Sequence, residues 1–290
     1  MKFLNIRASL MAVGACAALL STSAHAVWTF NTGGTQAAGS VSGDPTVTLS
    51  GFSVANSSGV VSGSWTGTTA NASGNGAGGL AYFDGGVGMY TSGETTAPDH
   101  ALDNKVRTEA VLLSFGGVST AITSVGLGWV SNGTTSNCAS GCNGTTGVSV
   151  DVSLFRWTGG SAPVLSGTAA TLGGSWELVG NYGMGYDKVN PYNAVNSGGK
   201  TSSWWLISAY NSGFTQSGGR ENVNSQLSNG NDFFKLYAVA GTKCASNLVN
   251  GSCATNNNGG KVPEPATLAL TSVALIGVAG LRRRRAKTAA

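Results

Sequence analysis

Few residues in this chain are suited to chemistry, and they are scattered. Histidine occurs twice, at His25 and His100. His100 stands in the polar stretch Pro98-Asp99-His100-Ala101-Leu102-Asp103, where Asp99 or Asp103 is close enough in sequence to orient its ring against a serine. No G-x-S-x-G elbow nominates that serine, so an idle loop histidine is the expectation. Glycoside hydrolysis needs two carboxylates about 5 to 9.5 Å apart across the scissile bond. The candidate acids are Asp84, Glu94, Asp99, Asp103, Glu109, Asp151, Glu177, Asp187, Glu221 and Asp232, and none falls in a distinctive spacing. Asp151 reads as the polar face of a strand, and Glu109 beside Arg107 as a local ion pair. Calcium takes hard oxygen ligands, and Asp99 and Asp103 with Asn104, or Asp187 with Asn190, are weak candidates for it. Neither group matches an EF-hand loop, and hydrated turns are expected in their place. The chain therefore reads as non-enzymatic, with no required cofactor.

Aromatic residues give a different chemistry. Tyr182, Tyr186, Tyr192, Trp204 and Trp205 fall in one region, with Tyr210 close behind. Exposed rings can cover the apolar faces of sugars while nearby Asn and Asp bond the hydroxyls. These five are the candidate carbohydrate-binding residues, against the plainer expectation of core and loop packing. Trp204 and Trp205 are adjacent, so in a strand they face opposite sides.

Of the five cysteines, Cys16 lies in an N-terminal leader. The remaining four, Cys138, Cys142, Cys244 and Cys253, permit three pairings. Export favours disulfides. The expected pairing is local, Cys138–Cys142 and Cys244–Cys253, each stapling a polar loop, with two crossed alternatives. The spacings are not those of a zinc ribbon or finger.

The elements that must carry these residues read as strands. Segments 46–54, 60–66, 80–83, 110–115, 121–130, 148–157, 175–179, 204–210 and 233–240 are apolar or alternating, and Gly, Ser and Asn separate them. The first two are expected to pair. Segments 110–115 and 121–130, split by Gly116-Gly117-Val118-Ser119, suggest a hairpin or adjacent strands. Val148, Val150, Val152 and Leu154 alternate with polar residues, then Phe155 and Trp157 switch parity. Either a bulge or burial of both faces would do this. No helical period is sustained and no repeat is evident. The fold class expected is all-β, a jelly-roll-like β-sandwich.

Both ends differ in kind. Lys2 and Arg7, the apolar run 8–20 and Ala24-His25-Ala26 make a secretory signal peptide over residues 1–26, with a cut before Val27. Its apolar run spans only about 20 Å, short of a bilayer. Residues 27–258 are the expected sandwich domain and 259–290 a C-terminal segment. That segment holds Pro263-Glu264-Pro265, an uncharged helix over 266–281, then Arg282, Arg283, Arg284, Arg285 and Lys287. Arginines after an apolar helix hold that end on the cytoplasmic side. The chain has 16 basic and 12 acidic residues, formally +4. Seven of the basic residues and one acidic residue lie outside Val27 to Val262, so that stretch is near −2. The basic pI is targeting sequence, not a nucleic-acid surface.

The triplet, helix and arginine cluster resemble the PEP-CTERM sorting signal of exopolysaccharide-producing Gram-negative bacteria. The resemblance implies removal of the tail near the triplet by an exosortase, a multi-spanning membrane cysteine protease. The implied address is the cell surface or extracellular matrix, after transient inner-membrane anchoring. Signal peptidase and exosortase are then the processing partners, and exopolysaccharide is the candidate ligand. The segments DNKVRTEAVLLSF, ITSVGLGWV, DVSLFRW and DFFKLYAVAG also resemble a group of exosortase-dependent surface proteins of unassigned activity. The expected function is a non-enzymatic surface or biofilm-matrix protein. The alternative is a carbohydrate-binding module or glycoside hydrolase acting on exopolysaccharide.

Overall fold

A computed structural model describes residues 25–30, 36–68, 79–83, 85–91, 100–138, 147–214 and 227–244, and the backbone of 248–249 and 252–253. All belong to one compact unit, Ala24–Ala254. Among them there is no helix. In chain order the strands are β1 (Ala26–Thr29), β2 (Gln36–Ala37), β3 (Val47–Ser57), β4 (Val60–Thr68), β5 (Gly79–Phe83), β6 (Gly86–Tyr90), β7 (Leu102–Asp103), β8 (Arg107–Ser114) and β9 (Thr120–Ser131). They continue with β10 (Ser136–Cys138), β11 (Ser149–Trp157), β12 (Trp176–Gly185), β13 (Tyr192–Ala194), β14 (Trp204–Ala209), β15 (Phe233–Lys243), β16 (Leu248–Val249) and β17 (Ser252–Cys253).

Two sheets form an antiparallel sandwich. The larger has the order β10-β9-β15-β6-β5, with β1 and β7 paired to β15 and β13 to β9. The smaller has the order β12-β11-β14-β8-β3-β2, with β4 paired to β3. Their inner faces share one core. Leu127, Val130, Phe234 and Leu236 come from the larger sheet, and Val111, Leu113, Val152, Leu154 and Ile207 from the smaller. A second core lies on the outer side of the smaller sheet, where Trp65, Leu165, Leu172 and Phe214 cover Leu112, Phe155 and Leu206. Phe155 meets Phe214 edge-on at 5.2 Å. Trp65 stacks on Phe214 and donates from Nε1 to the Ala170 carbonyl.

This second core explains the change of pattern along β11. Val150, Val152 and Leu154 point inward throughout. On the outer side, buried Ser153, which donates to Asn181, gives way to Phe155, which joins the second core. The end of β11 is therefore buried on both faces. The bulge belongs to β12, which skips Val179 between the pairs Leu154–Gly180 and Phe155–Leu178.

Strands β3 and β4 pair as expected. Their turn is Ser58-Gly59, with φ of 52° and 79°, the left-handed pair that a two-residue hairpin requires. The hairpin expected of 110–115 with 121–130 does not form. β8 joins the smaller sheet and β9 the larger, so the five residues between them, Phe115 to Ser119, cross the sandwich. β8 is buried along almost its whole length. It pairs β3 on one side and β14 on the other, which leaves no edge for β9.

Candidate functional site

Folding gathers four of the dispersed acids at one end of the sandwich. Asp103 ends β7, Glu109 lies on β8, Asp151 on β11, and Asp232 precedes β15. All four are buried. Their carboxylates accept from backbone N–H groups. Glu109 Oε2 accepts from Asp103, and Asp103 Oδ1 from Lys105. Asp151 Oδ2 accepts from Ser228 at 2.8 Å, and Asp232 Oδ1 from Asp151 at 2.8 Å. Asn104 completes the knot. Its Nδ2 donates to Asp232 Oδ2 at 2.7 Å and to the Tyr210 carbonyl, and its Oδ1 accepts from Asp232 N–H. Burial pushes the Asp232 carboxyl up to about 7; its hydrogen bonds to Asp151 N–H and Asn104 oppose the rise, and the nearby Asp151 carboxylate adds to it. A carboxyl held protonated near neutrality beside another acid matches the electrostatics of a glycosidase pair. Asp151 and Asp232 are only 5% and 4% exposed, however, and their carboxylate oxygens are taken up by backbone N–H groups and Asn104. This group clamps strand ends of both sheets together.

The other acids stand apart. Glu177 on β12 pairs with Arg156 at 2.7 Å and Lys200 at 2.8 Å. Burial alone would raise its carboxyl, but the hydrogen bonds and charges of Lys200 and Arg156 bring it below the usual range. Asp187 caps its own loop, Oδ1 accepting from Val189 N–H. Asp84, Glu94, Asp99 and Glu221 lie outside the described residues. Of the calcium candidates, Asp103 is buried against β15 and Asp187 sits in the β12–β13 loop. Among the described residues no three His, Cys, Asp or Glu side chains are grouped to hold a metal ion.

Asp99 lies outside the described residues, and among them His100 meets aromatic rings. Its ring stacks on Phe83 at 4.6 Å and leans on Tyr90 at 5.6 Å, and its Nδ1 is buried without a hydrogen-bond partner.

The aromatic candidates divide three ways. Tyr182 is 1% exposed, and its hydroxyl accepts from Asn196 N–H. Trp205 is fully buried, its Nε1 donating to the Thr120 and Ser202 carbonyls. Both are core residues, and this corrects their candidacy for sugar contact. Trp204 is half-buried against the second core, on the smaller sheet. Tyr186 and Tyr192 are half-buried beside the larger sheet, where β13 pairs with β9 and the Tyr192 ring lies over Gly126. Burial raises both phenols, with the neighbouring Tyr237 adding to it, and Asp187 adds further at Tyr186.

Three residues that the sequence reading overlooked extend this surface. Lys235 and Trp129 are directly paired in register and partly exposed, while the flanking pairs Phe234–Val130 and Leu236–Leu127 point into the core. Lys235 Nζ lies 5.5 Å from the Trp129 ring and 5.2 Å from that of Phe83. Half-buried Tyr237 follows on the same strand. The visible trace was Lys235 interrupting the apolar run FFKLYAVA.

The sorting residues Pro263, Glu264, Pro265 and Arg282 to Arg285, and the helix expected over 266–281, lie outside the described residues. Comparison with known families matches residues 261–285 to the PEP-CTERM protein-sorting motif. That motif implies export, exosortase processing, and a surface or extracellular address. No curated protein and no solved structure matches the chain, so no relative supports the body's resemblance to exosortase-dependent surface proteins.

Proposed function

We propose that this chain is a non-enzymatic β-sandwich protein of the cell surface or extracellular matrix in a Gram-negative bacterium. Signal peptidase would cut before Val27. The C-terminal segment would hold the exported body at the inner membrane until an exosortase removes it. The match to the sorting motif over residues 261–285 carries this reading. The burial of the acid cluster supports the non-enzymatic part, because a hydrolytic pair must reach substrate. Connections that cross between sheets, β8 to β9 and β14 to β15, favour a jelly-roll form of sandwich.

The test is intact mass of the native protein purified separately from cells and from medium. A chain beginning near Val27 and ending near Pro265 is the expected species. A species that keeps Arg282 to Arg285 would make this a simple anchored protein and sink the proposal.

A second reading, saccharide binding, has a specific observation behind it. The partly exposed rings of Trp129, Phe83, Tyr192 and Tyr237 share the outer side of the larger sheet, interleaved with Lys235. Titration with exopolysaccharide from the producing strain should quench tryptophan fluorescence, and Trp129→Ala should weaken binding at least several-fold. Equal binding by the wild type and the variant would remove this surface from consideration.

A further inference from the structure

We infer that the four exported cysteines close two local loops, Cys138–Cys142 and Cys244–Cys253, and that the second bridge ends the folded body just short of the sorting motif. Strand β9 serves as the ruler. Cys138 lies opposite Trp129 near one end of it, on β10. Cys244 follows β15 at the other end, where its N–H donates to the Ser119 carbonyl at 2.9 Å. β10 and β15 flank β9 on opposite sides. Between Ser119 and Trp129 the strand pairing skips Thr123 and Gly128 as bulges, and the separation is still about 30 Å. A disulfide needs Cα atoms within about 7 Å. Cys138 and Cys244 therefore cannot be partners, yet neither is a free thiol.

Chain reach removes the other crossed pairing. Cys253 pairs with Leu248 in the β16–β17 hairpin, and Leu248 is four residues beyond Cys244. Cys253 thus stays within about 19 Å of Cys244 and no nearer than about 11 Å to Cys138. Cys142, four residues past Cys138, can move at most about 14 Å from it and remains about 16 Å or more from Cys244. Only the local pairing satisfies both limits. Each bridge forms when two thiols lose two protons and two electrons to a protein disulfide oxidant of the exported compartment, which is reduced to its dithiol.

The second bridge also sets a length. The sorting motif begins at Lys261. Measured from Cys253, the fully extended chain to Lys261 covers about 27 Å; measured from Cys244 it covers about 58 Å. The bridge halves the reach between the body and the segment to be cut. This consequence rests on the sorting reading, whereas the pairing does not.

Tryptic digestion of the exported protein, alkylated without reduction, tests the pairing. Cleavage after Arg107 and Arg156 gives one peptide with Cys138 and Cys142, and cleavage after Lys243 and Lys261 gives one with Cys244 and Cys253. The expected result is two separate peptides, each gaining two hydrogens on reduction. A joined peptide, or an alkylated cysteine at any of the four positions, overturns the pairing. In a Cys244→Ser/Cys253→Ser double variant, proteolysis between residues 244 and 261 should accelerate several-fold. An unchanged rate would refute the bridge as the closure of that loop. A retained tail in the wild type would instead reject the sorting reading and leave the pairing standing.

Discussion

Asp232 makes the folded body less stable as pH rises through neutrality, and Asp232→Asn isolates the effect. The carboxyl is 4% exposed and pushed up to about 7, from 3.8 in the unfolded chain. Between those values the native state binds more protons than the unfolded one. Stability therefore falls as pH climbs from about 4 to 7 and levels off above. Three pKa units at about 1.4 kcal/mol each amount to about 4 kcal/mol over the whole window, of which about 3 kcal/mol falls between pH 5 and pH 8. The asparagine side chain keeps one acceptor, but its Nδ2 can only donate where the carboxyl accepts from Asp151 N–H or Asn104 Nδ2, so the variant loses one of those bonds at every pH and the pH dependence alone is compared. Urea unfolding of both proteins at pH 5 and pH 8, with the slope held constant, reads the difference directly. The variant should gain about 3 kcal/mol on wild type across that interval, while contributions from other groups cancel in the comparison. Parallel curves would refute the reasoning. They would mean that the hydrogen bonds from Asp151 N–H and Asn104 outweigh burial and keep Asp232 ionised throughout.

Glu177 should behave with the opposite sign. Its carboxyl is held below the usual range, so its stabilisation is present above about pH 4.5 and lost as pH falls further. The pair is partly solvated, and Glu177→Gln should cost less than about 1 kcal/mol at pH 7 and nothing at pH 3, by the same urea assay. Trp205→Ala should cost about 3 to 5 kcal/mol, because it empties the centre of the main core and removes the Nε1 hydrogen bonds to the Thr120 and Ser202 carbonyls, which keep only their backbone N–H partners. Gly88→Ala should cost about 1 to 3 kcal/mol, since a Cβ there would overlap the His100 carbonyl. An unchanged unfolding midpoint in either variant would contradict the packing described.

Strands could be read from sequence wherever polar and apolar residues alternated. Segment 148–157 showed this, although Asp151 and Ser153 on its outer face are themselves buried, and segments 46–54 and 60–66 pair as β3 and β4 as expected. What alternation cannot encode is the identity of the neighbouring strand. The run AVLLSF gave β8 correctly, but nothing in Gly116-Gly117-Val118-Ser119 distinguishes a hairpin turn from a crossing between sheets. β6 was hidden for another reason. Gly86 and Gly88 look like breaks, yet a side chain at either would run into the backbone of Leu236 or His100, so the glycines are what let β6 fit there. The second core was equally illegible, because Trp65, Leu165 and Phe214 come from separate stretches that meet only after folding.

The same distinction separates the two kinds of functional information in this chain. A processing enzyme reads a linear segment, so the triplet, apolar run and arginines carry their meaning without a fold. A binding surface depends on which side of each strand stays wet. Trp204 and Trp205 were equivalent candidates in the sequence, and one hydrogen-bonds inside the core while the other lies toward the second core. Tyr182 and Tyr186 are four residues apart on and just past β12; the first is sealed in the core and the second is half-buried near Tyr237. Burial divided these candidates after the sequence had treated them alike. That is why the tail speaks to sorting while the proposed saccharide surface rests on which rings stay partly exposed on the outer side of the larger sheet, around Trp129, Tyr192 and Tyr237.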